Sequence, residues 1–288
     1  MSLAICAPAK INLTLDVTGT RPDGYHLLRS VMQSVSLADE ITISQEGRGL
    51  RLICSDPSLP SDERNLAVRA ARLMIDTFAL PEDITIRLTK RIPVGAGLAG
   101  GSTDAAAVML GMVRMFELAV RTDELERLGL TLGADVPFCL RQGTALAEGI
   151  GEQLTSLPTP ELYILLVKPP VSLSTAEIYR RLPEADELDH PQIDELLKHL
   201  AAGEAILTPE LAPAFRNVLE GPAMQLCPQI AVIKDAAARE GAAVSMMSGS
   251  GSTVFGLFAD SAACAEAAAS LRALFPDCFV CEAQSVSR

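Results

Sequence analysis

The chain has 288 residues, 49% of them hydrophobic and 21% charged, proportions that support a sizeable core and exclude a disordered or fibrous protein. A formal net charge of −12, with 4% aromatics and no Trp, excludes nucleic acid and anionic membrane as expected partners. Seven cysteines, an odd number spread from Cys6 to Cys281, make no disulfide framework. The one close pair, Cys278 and Cys281, has neither a second pair nor a nearby His to complete a zinc site, so buried, reduced thiols are expected.

In chain order, Ala9 to Val17 alternates, with Ile11, Leu13, Leu15 and Val17 on one face, and reads as a strand. The turn signal Arg21-Pro-Asp-Gly24 follows, then an apolar-rich segment from His26 to Leu37. Short strands are predicted at 40–44 and 50–54, a helix over Leu66–Phe78, and a strand over 84–90 that leads into a glycine-rich loop. A helix is predicted from Asp104 to Leu118 and another from Thr122, where Asp123 and Glu124 supply a first-turn signature. Near residue 155 the texture changes, and the predicted domain boundary falls there, giving 1–155 and 156–288. Beyond it come a strand in LYILLVKPP, helices near 175–182, 191–202 and 228–240, strands near 243–247 and 253–258, a helix over 261–274 and a strand near 279–283. The N-terminal MSLAICAPAKINL lacks a long apolar segment after a basic start, and no stretch reaches membrane-span length. A cytoplasmic protein is the expectation.

The loop in PVGAGLAGGSTDAA (93–106) places four glycines just ahead of a helix. Bare backbone and unpaired helix amides suit an anion, and the partial positive charge of a helix N-terminus favours one. A tight turn packing helix on sheet would use the same residues. A P-loop needs Lys where Gly101 stands, and a dinucleotide fingerprint needs an acidic residue ending the next strand, which position 120 does not offer. A triphosphate held by amides and by the Ser102 and Thr103 hydroxyls remains, beside the packing turn.

The stretches APAKINLTLDVTGTRPDGYH (7–26), PVGAGLAGGSTDAA and SGSGSTVFG (248–256) resemble, in order, the three motifs of the GHMP small-molecule kinases. PAKINL, RPDGYH and TLGADVPFCL (131–140) narrow the resemblance to members acting on a cytidyl-diphosphate sugar alcohol. The resemblance implies an α+β, two-domain GHMP kinase fold. Its N-terminal ATP-binding domain would be like domain 2 of ribosomal protein S5, and its C-terminal domain ferredoxin-like. It implies ATP as cofactor and Mg2+ as counter-charge, with no metal ligands indicated. Asp135 is the implied base and Lys10 polarises the acceptor hydroxyl. Tyr25 and His26 embrace the cytosine end, Tyr179 falls near it, and Asn12 serves the erythritol side. The phosphate cradle is implied to run from Pro93 through Val94, Gly95, Ala96, Gly97, Leu98, Ala99, Gly100 and Gly101 to Ser102 and Thr103, with Asn65 beside the nucleoside. Met32 stands where relatives often carry Phe.

Taken without the resemblance, a carboxylate beside a lysine suits a transfer that needs one proton acceptor and much charge neutralisation. Taken singly, Lys10 reads as an edge residue, Asp135 as a helix cap, His26 as a turn residue and SGSGSTVFG as an interstrand connection. Two rivals remain open. A homoserine- or mevalonate-type kinase would share the loops but not Tyr25-His26. A non-catalytic nucleotide-binding protein on the same fold would need neither Lys10 nor Asp135. Small molecules are the expected partners, and the chain is expected to be a monomer or weak homodimer.

Overall fold

A computed structural model describes residues 2–287. By contacts the chain forms two compact units whose segments interleave. The first comprises residues up to Ala9, Ala38–Ile92 and Ala99–Gln142; the second comprises Lys10–Leu37, Pro93–Leu98 and the rest from Gly143. Strands β1 (Ser2–Thr20) and β2 (His26–Ser44) pair with each other and by residue range contribute to both. Both are far longer than the alternation suggested. The apolar segment after Gly24 and the predicted strand at 40–44 are one continuous β2.

In the first unit, β3 (Arg51–Cys54) runs parallel to β4 (Thr85–Thr89), and β4 runs antiparallel to the end of β2, with Glu40 opposite Thr89. Helix α1 (Leu66–Phe78) is capped by Asn65, whose side chain accepts the Ala67 N–H, and it buries Ala67, Ala70, Ala71, Met74 and Ile75 at helical spacing. Helix α2 (Gly100–Met115) packs on α1. It lies so close to the sheet that a Cβ on Gly111 would stand 2.4 Å from Ile5 Cδ1 and 2.5 Å from Ile43 Cδ1, hence the glycine. Helices α3 (Thr122–Leu130) and α4 (Val136–Arg141) complete the unit. Its core is Ala7, Ile41, Ile43, Met74, Ile84, Ile86, Val108 and Met112 with their neighbours.

In the second unit, β5 (Thr144–Glu148) pairs antiparallel with β2 and with β6 (Gln153–Leu157). Neither strand was among the predicted elements, because TALAE and QLTSL are too short and too weakly apolar to show a period. After β7 (Tyr163–Lys168) come α5 (Thr175–Arg180), α6 (Ile193–Ala202), α7 (Glu220–Leu226) and α8 (Gln229–Arg239). Then follow β8 (Val244–Met247), β9 (Val254–Phe258), α9 (Ser261–Leu274) and β10 (Phe279–Gln284). The four strands form an antiparallel sheet ordered β10-β7-β9-β8. With helices after the first and third strands, this is the split βαβ pattern of a ferredoxin-like domain, as expected. Strand β7 is buried from Ile164 to Val167, which explains why its sequence is a continuous apolar run rather than an alternating one. Among the described residues no helix is long and apolar enough to cross a membrane.

All seven cysteines are free thiols. The burial expected of the close pair Cys278 and Cys281 is only partial, whereas Cys139, Cys227 and Cys264 are buried. Cys6 is exposed, and Cys54, Cys278 and Cys281 are half-buried.

Candidate active site

Strand β1 is buried from Ala9 to Val17 on both faces, so the polar half of its alternation does not reach solvent. Lys10, only 5% exposed, donates from Nζ to Asn12 Oδ1 at 2.8 Å. Asn12 Nδ2 donates to Ser30 Oγ at 2.9 Å, and Ser30 Oγ donates to the Thr14 carbonyl at 2.6 Å. A buried lysine oriented by an ordered hydrogen-bond chain is not the solvated edge residue that Lys10 alone suggested.

The two glycine-rich stretches meet here. Gly97 has φ +73°, and a Cβ on it would lie 2.2 Å from the Ser248 carbonyl oxygen. Ser248 Oγ donates to the Gly97 carbonyl at 3.0 Å, and the Lys10 N–H donates to the Leu98 carbonyl at 3.2 Å. On the other stretch, a Cβ on Gly249 would be 3.4 Å from Lys10 Nζ and 3.5 Å from Asn12 Oδ1. SGSGSTVFG is therefore both the β8–β9 connection and the surface laid against Lys10. Asn217 holds it in place from just ahead of α7. It is 2% exposed and donates through Nδ2 to the carbonyls of Met247, at 2.9 Å, and Gly249, at 2.8 Å. Sequence reasoning missed Asn217 and Ser30, since a lone Asn before a helix reads as a cap.

Helix α2 begins at Gly100, four residues before the expected start, after Ala99 in the left-handed region at φ 57°. Its first internal hydrogen bond runs from the Thr103 N–H to the Ala99 carbonyl at 2.9 Å. The amides of Gly100, Gly101 and Ser102 thus have no partner within the helix and carry its positive end. Ser102 is half-buried, and its Oγ would lie 4.0 Å from a Cβ on Gly133. Thr103 differs from the expectation. Its hydroxyl is buried and donates to the Pro8 carbonyl at 2.7 Å, so it anchors the helix start to β1 rather than offering a hydroxyl to a phosphate. Asn65 likewise spends both ends of its amide locally, capping α1 and donating to the Pro60 carbonyl at 2.9 Å. Asp135 occupies the N-cap position of α4, but its side chain makes no capping hydrogen bond, so it is not a cap in the chemical sense.

His26 opens β2 instead of sitting in the turn. Its ring stacks on Tyr179 of α5, with centroids 4.8 Å apart and planes inclined by 21°. Tyr25 is 60% exposed, and Met32 is buried on β2 opposite Ala145. The segment after α5 is fastened to β1, to β2 and to the chain ahead of α7. His190 Nδ1 is 2.7 Å from Asp16 Oδ1, Arg29 donates to Asp194 at 2.6 Å, and Arg216 pairs with Asp189. The hydrogen bond to Asp16 raises the His190 pKa above the ordinary imidazole value, against the opposing pull of burial.

A buried ionic cluster lies in the first unit, where Lys90 Nζ donates to Asp39 Oδ2 and, at 2.7 Å, to Asp104 Oδ2. Burial pushes the Asp104 carboxyl up to about 7, with Lys90 opposing the rise and Asp39 adding to it. For Lys90 burial works to lower the pKa, but its two carboxylates together raise it. Among the described residues no group of three or more His, Cys, Asp or Glu side chains could hold a metal ion.

The ferredoxin-like topology, the glycine loop opening a helix and the buried lysine facing a second glycine stretch fit the resemblance to the GHMP small-molecule kinases. The family described as GHMP kinases N terminal domain matches residues 65–143, and GHMP kinases C terminal matches 183–277. A protein of Geobacillus sp. (strain WCH70), 4-diphosphocytidyl-2-C-methyl-D-erythritol kinase, is 46% identical over 262 residues, covering 89% of this chain and 88% of its own length. A protein of the same name from Clostridium botulinum (strain Eklund 17B / Type B) is 46% identical, covering 89% and 91%. The crystal structure of a 4-(cytidine 5'-diphospho)-2C-methyl-D-erythritol kinase superposes with a TM-score of 0.83 at 35% identity, covering 99% of this chain and all of that one. Homoserine kinase from Cytophaga hutchinsonii, at 21% identity and a TM-score of 0.79 over 99% and 95%, shares the fold. The chain belongs to the GHMP kinases, in the family of the 4-diphosphocytidyl-2-C-methyl-D-erythritol kinases.

Proposed function

We propose that the chain transfers the γ-phosphoryl group of ATP to the 2-hydroxyl of 4-diphosphocytidyl-2-C-methyl-D-erythritol, a step of the non-mevalonate route to isoprenoid precursors. The observation that carries this reading is the 46% identity to kinases of that name over 89% of the chain. The presence together of Lys10, Asp135, both glycine stretches and the His26–Tyr179 stack supports it. Residues 1–155 form the proposed ATP-binding domain and 156–288 the C-terminal domain.

Phosphoryl transfer asks for positioning, charge neutralisation and one group to take the acceptor's proton. Asp135 takes that proton as the hydroxyl oxygen bonds to the γ-phosphorus and the bond to the bridging oxygen of ADP breaks. Lys10, oriented by Asn12, polarises the hydroxyl. The loop from Pro93 through Ser102 receives the phosphates on its amides, at the positive end of α2, while Thr103 anchors that end to Pro8. Asn65 stands by the nucleoside as the cap of α1. Tyr25, His26 and Tyr179 receive the cytosine. Mg2+ ordinarily keeps several waters and binds one or two carboxylates plus substrate phosphates; here it would arrive on the triphosphate and offset its charge.

The test is ATP turnover against a panel of the cytidyl substrate, mevalonate, homoserine and galactose. Turnover confined to the cytidyl substrate is expected, and equal or greater turnover with another acceptor overturns the assignment.

A further inference from the structure

Asp39 is 0% exposed, a carboxylate at full burial near the end of β2 that the transfer described above does not use. Its Oδ1 accepts the backbone N–H groups of Arg91 and, at 2.8 Å, Ile92. These are the last two residues before Pro93, where the glycine loop begins. Its Oδ2 pairs with Lys90 Nζ, and the same ammonium donates at 2.7 Å to Asp104 Oδ2 in the first turns of α2. A Cβ on Gly100 would lie 3.4 Å from that ammonium and 3.1 Å from Ile92 Cγ2. The point where the chain enters the loop and the point where it leaves are therefore held to one buried carboxylate, directly by two amides on one side and through Lys90 on the other. All of these groups lie in the first unit.

A purely structural cluster would need only charge balance, which one carboxylate per ammonium supplies. Here two carboxylates share one lysine, and Asp104 Oδ1 is left buried without a hydrogen-bond partner. Leaving a buried polar atom unpaired is costly, and such groups call for an explanation beyond stability. The geometry supplies one, since the second carboxylate is what carries the link to α2.

We propose that Asp39 is a positioning residue for the nucleotide. By gripping the Arg91 and Ile92 amides and, through Lys90, the start of α2, it sets the separation of the two ends of the segment Pro93–Leu98. It thereby sets the direction in which the amides at the head of α2 present themselves to phosphate. The inference rests on the reading that this loop cradles ATP. Asp39 is itself fully buried, so it acts only through the loop entry and the helix start that it holds, and its effect is confined to nucleotide constants.

The test is calorimetric titration with ATP, together with KM values for ATP and for the cytidyl acceptor, on the wild-type chain, Asp39→Asn and Asp104→Ala. Asp39→Asn keeps the shape and one acceptor but gives up the charge that holds Lys90. Asp104→Ala keeps the grip on Arg91 and Ile92 and cuts the link to the helix. Displacement of a positioned group by a fraction of an ångström to one ångström costs about tenfold to a hundredfold. Asp39→Asn should lose ATP affinity and raise the ATP KM on that scale, with the acceptor KM within about twofold. Asp104→Ala should show the same split to a smaller degree. Wild-type protein that fails to bind ATP overturns the nucleotide reading itself. Wild-type binding with no ATP-specific loss in Asp39→Asn, or in Asp104→Ala should Asp39→Asn not fold, overturns the positioning role. Equal rises in both KM values overturn it as well, since a general loosening of the fold does not discriminate between substrates.

Discussion

His26 and Tyr179 stack ring on ring at 4.8 Å, so the first residue of β2 and the short helix α5 are joined by an aromatic contact. His26 Nδ1 is also 3.3 Å from Thr20 Oγ1 at the end of β1. The imidazole is thus held between the turn end of the β1–β2 hairpin and α5, in an orientation fixed on two sides. A ring held this way can read a base edge, and a site built around such hydrogen bonds rejects ligands that leave them unmade. His26→Ala should raise the acceptor KM by about tenfold or more, while the ATP KM moves by less than about twofold. Steady-state kinetics with each substrate varied in turn decides it, and equal effects on the two would remove His26 from the acceptor site.

The glycines of the loop divide into two kinds. At Gly97 a positive φ combines with a 2.2 Å approach of the Ser248 carbonyl, whereas a Cβ on Gly101 would make only an ordinary 3.4 Å contact with Leu66 Cδ1. Gly97→Ala should therefore destabilise the protein by about 1–3 kcal/mol, through backbone strain and a steric clash. Gly101→Val should leave the melting temperature near wild type yet weaken ATP binding by crowding the amides at the head of α2. Thermal melts and nucleotide titration on both variants separate packing from binding. Unfolding of Gly101→Val would return the loop to a packing role.

Asp135→Asn preserves shape and hydrogen bonding but cannot accept a proton. Loss of a general base costs about a hundred- to ten-thousandfold in rate, so kcat should fall on that scale with ATP and acceptor affinities little changed. Lys10→Met should lose a comparable amount, and the double variant should be scarcely worse than either, because residues acting as one unit are strongly non-additive. Lys10→Met should also melt somewhat lower, since Asn12 Oδ1 is left buried without its donor. Near-native kcat in Asp135→Asn would exclude it as the base.

Asp104 makes stability depend on pH with a definite sign. Its carboxyl titrates at about 7 in the fold against an ordinary 3.8, so over that interval the native state binds more protons than the unfolded chain. Stability contributed at this site is full at low pH and declines as pH rises from near 4 to about 7, then levels. Asp104→Asn lacks the titration. The variant should therefore gain on wild type through that window and hold a constant difference above it, as read from urea unfolding at a series of pH values. A difference independent of pH would mean that Asp104 is ionised throughout.

Much of this was legible in the chain. The loop's glycines, the strand leading into it, the Leu66–Phe78 helix and the succession from β7 to β10, α7 excepted, follow from local signals such as period, caps and turn residues. Those signals need no knowledge of distant partners. The helix over 261–274 was legible to the residue because Asp260 caps it and alanines fill it. The strands β5 and β6 were not legible, since their pairing with β2 rather than their own periodicity makes them strands.

The sequence by itself determined which residue types were available, namely a lysine and an asparagine two apart on β1, an aspartate before a proline-bearing helix and two runs of glycine. What each does was decided by the tertiary structure, because burial and partnership are non-local. Alternation along β1 implies one polar face in solvent, yet Lys10, Asn12, Thr14 and Asp16 are all buried. They can be so because Ser30, Arg216 and His190, far along the chain, meet their polar atoms. Asp39 and Asp104 read in sequence as a strand-end and a helix-start carboxylate, unremarkable in both places. Only the fold brings them to one ammonium, where the low dielectric of the interior moves a proton equilibrium by several orders of magnitude.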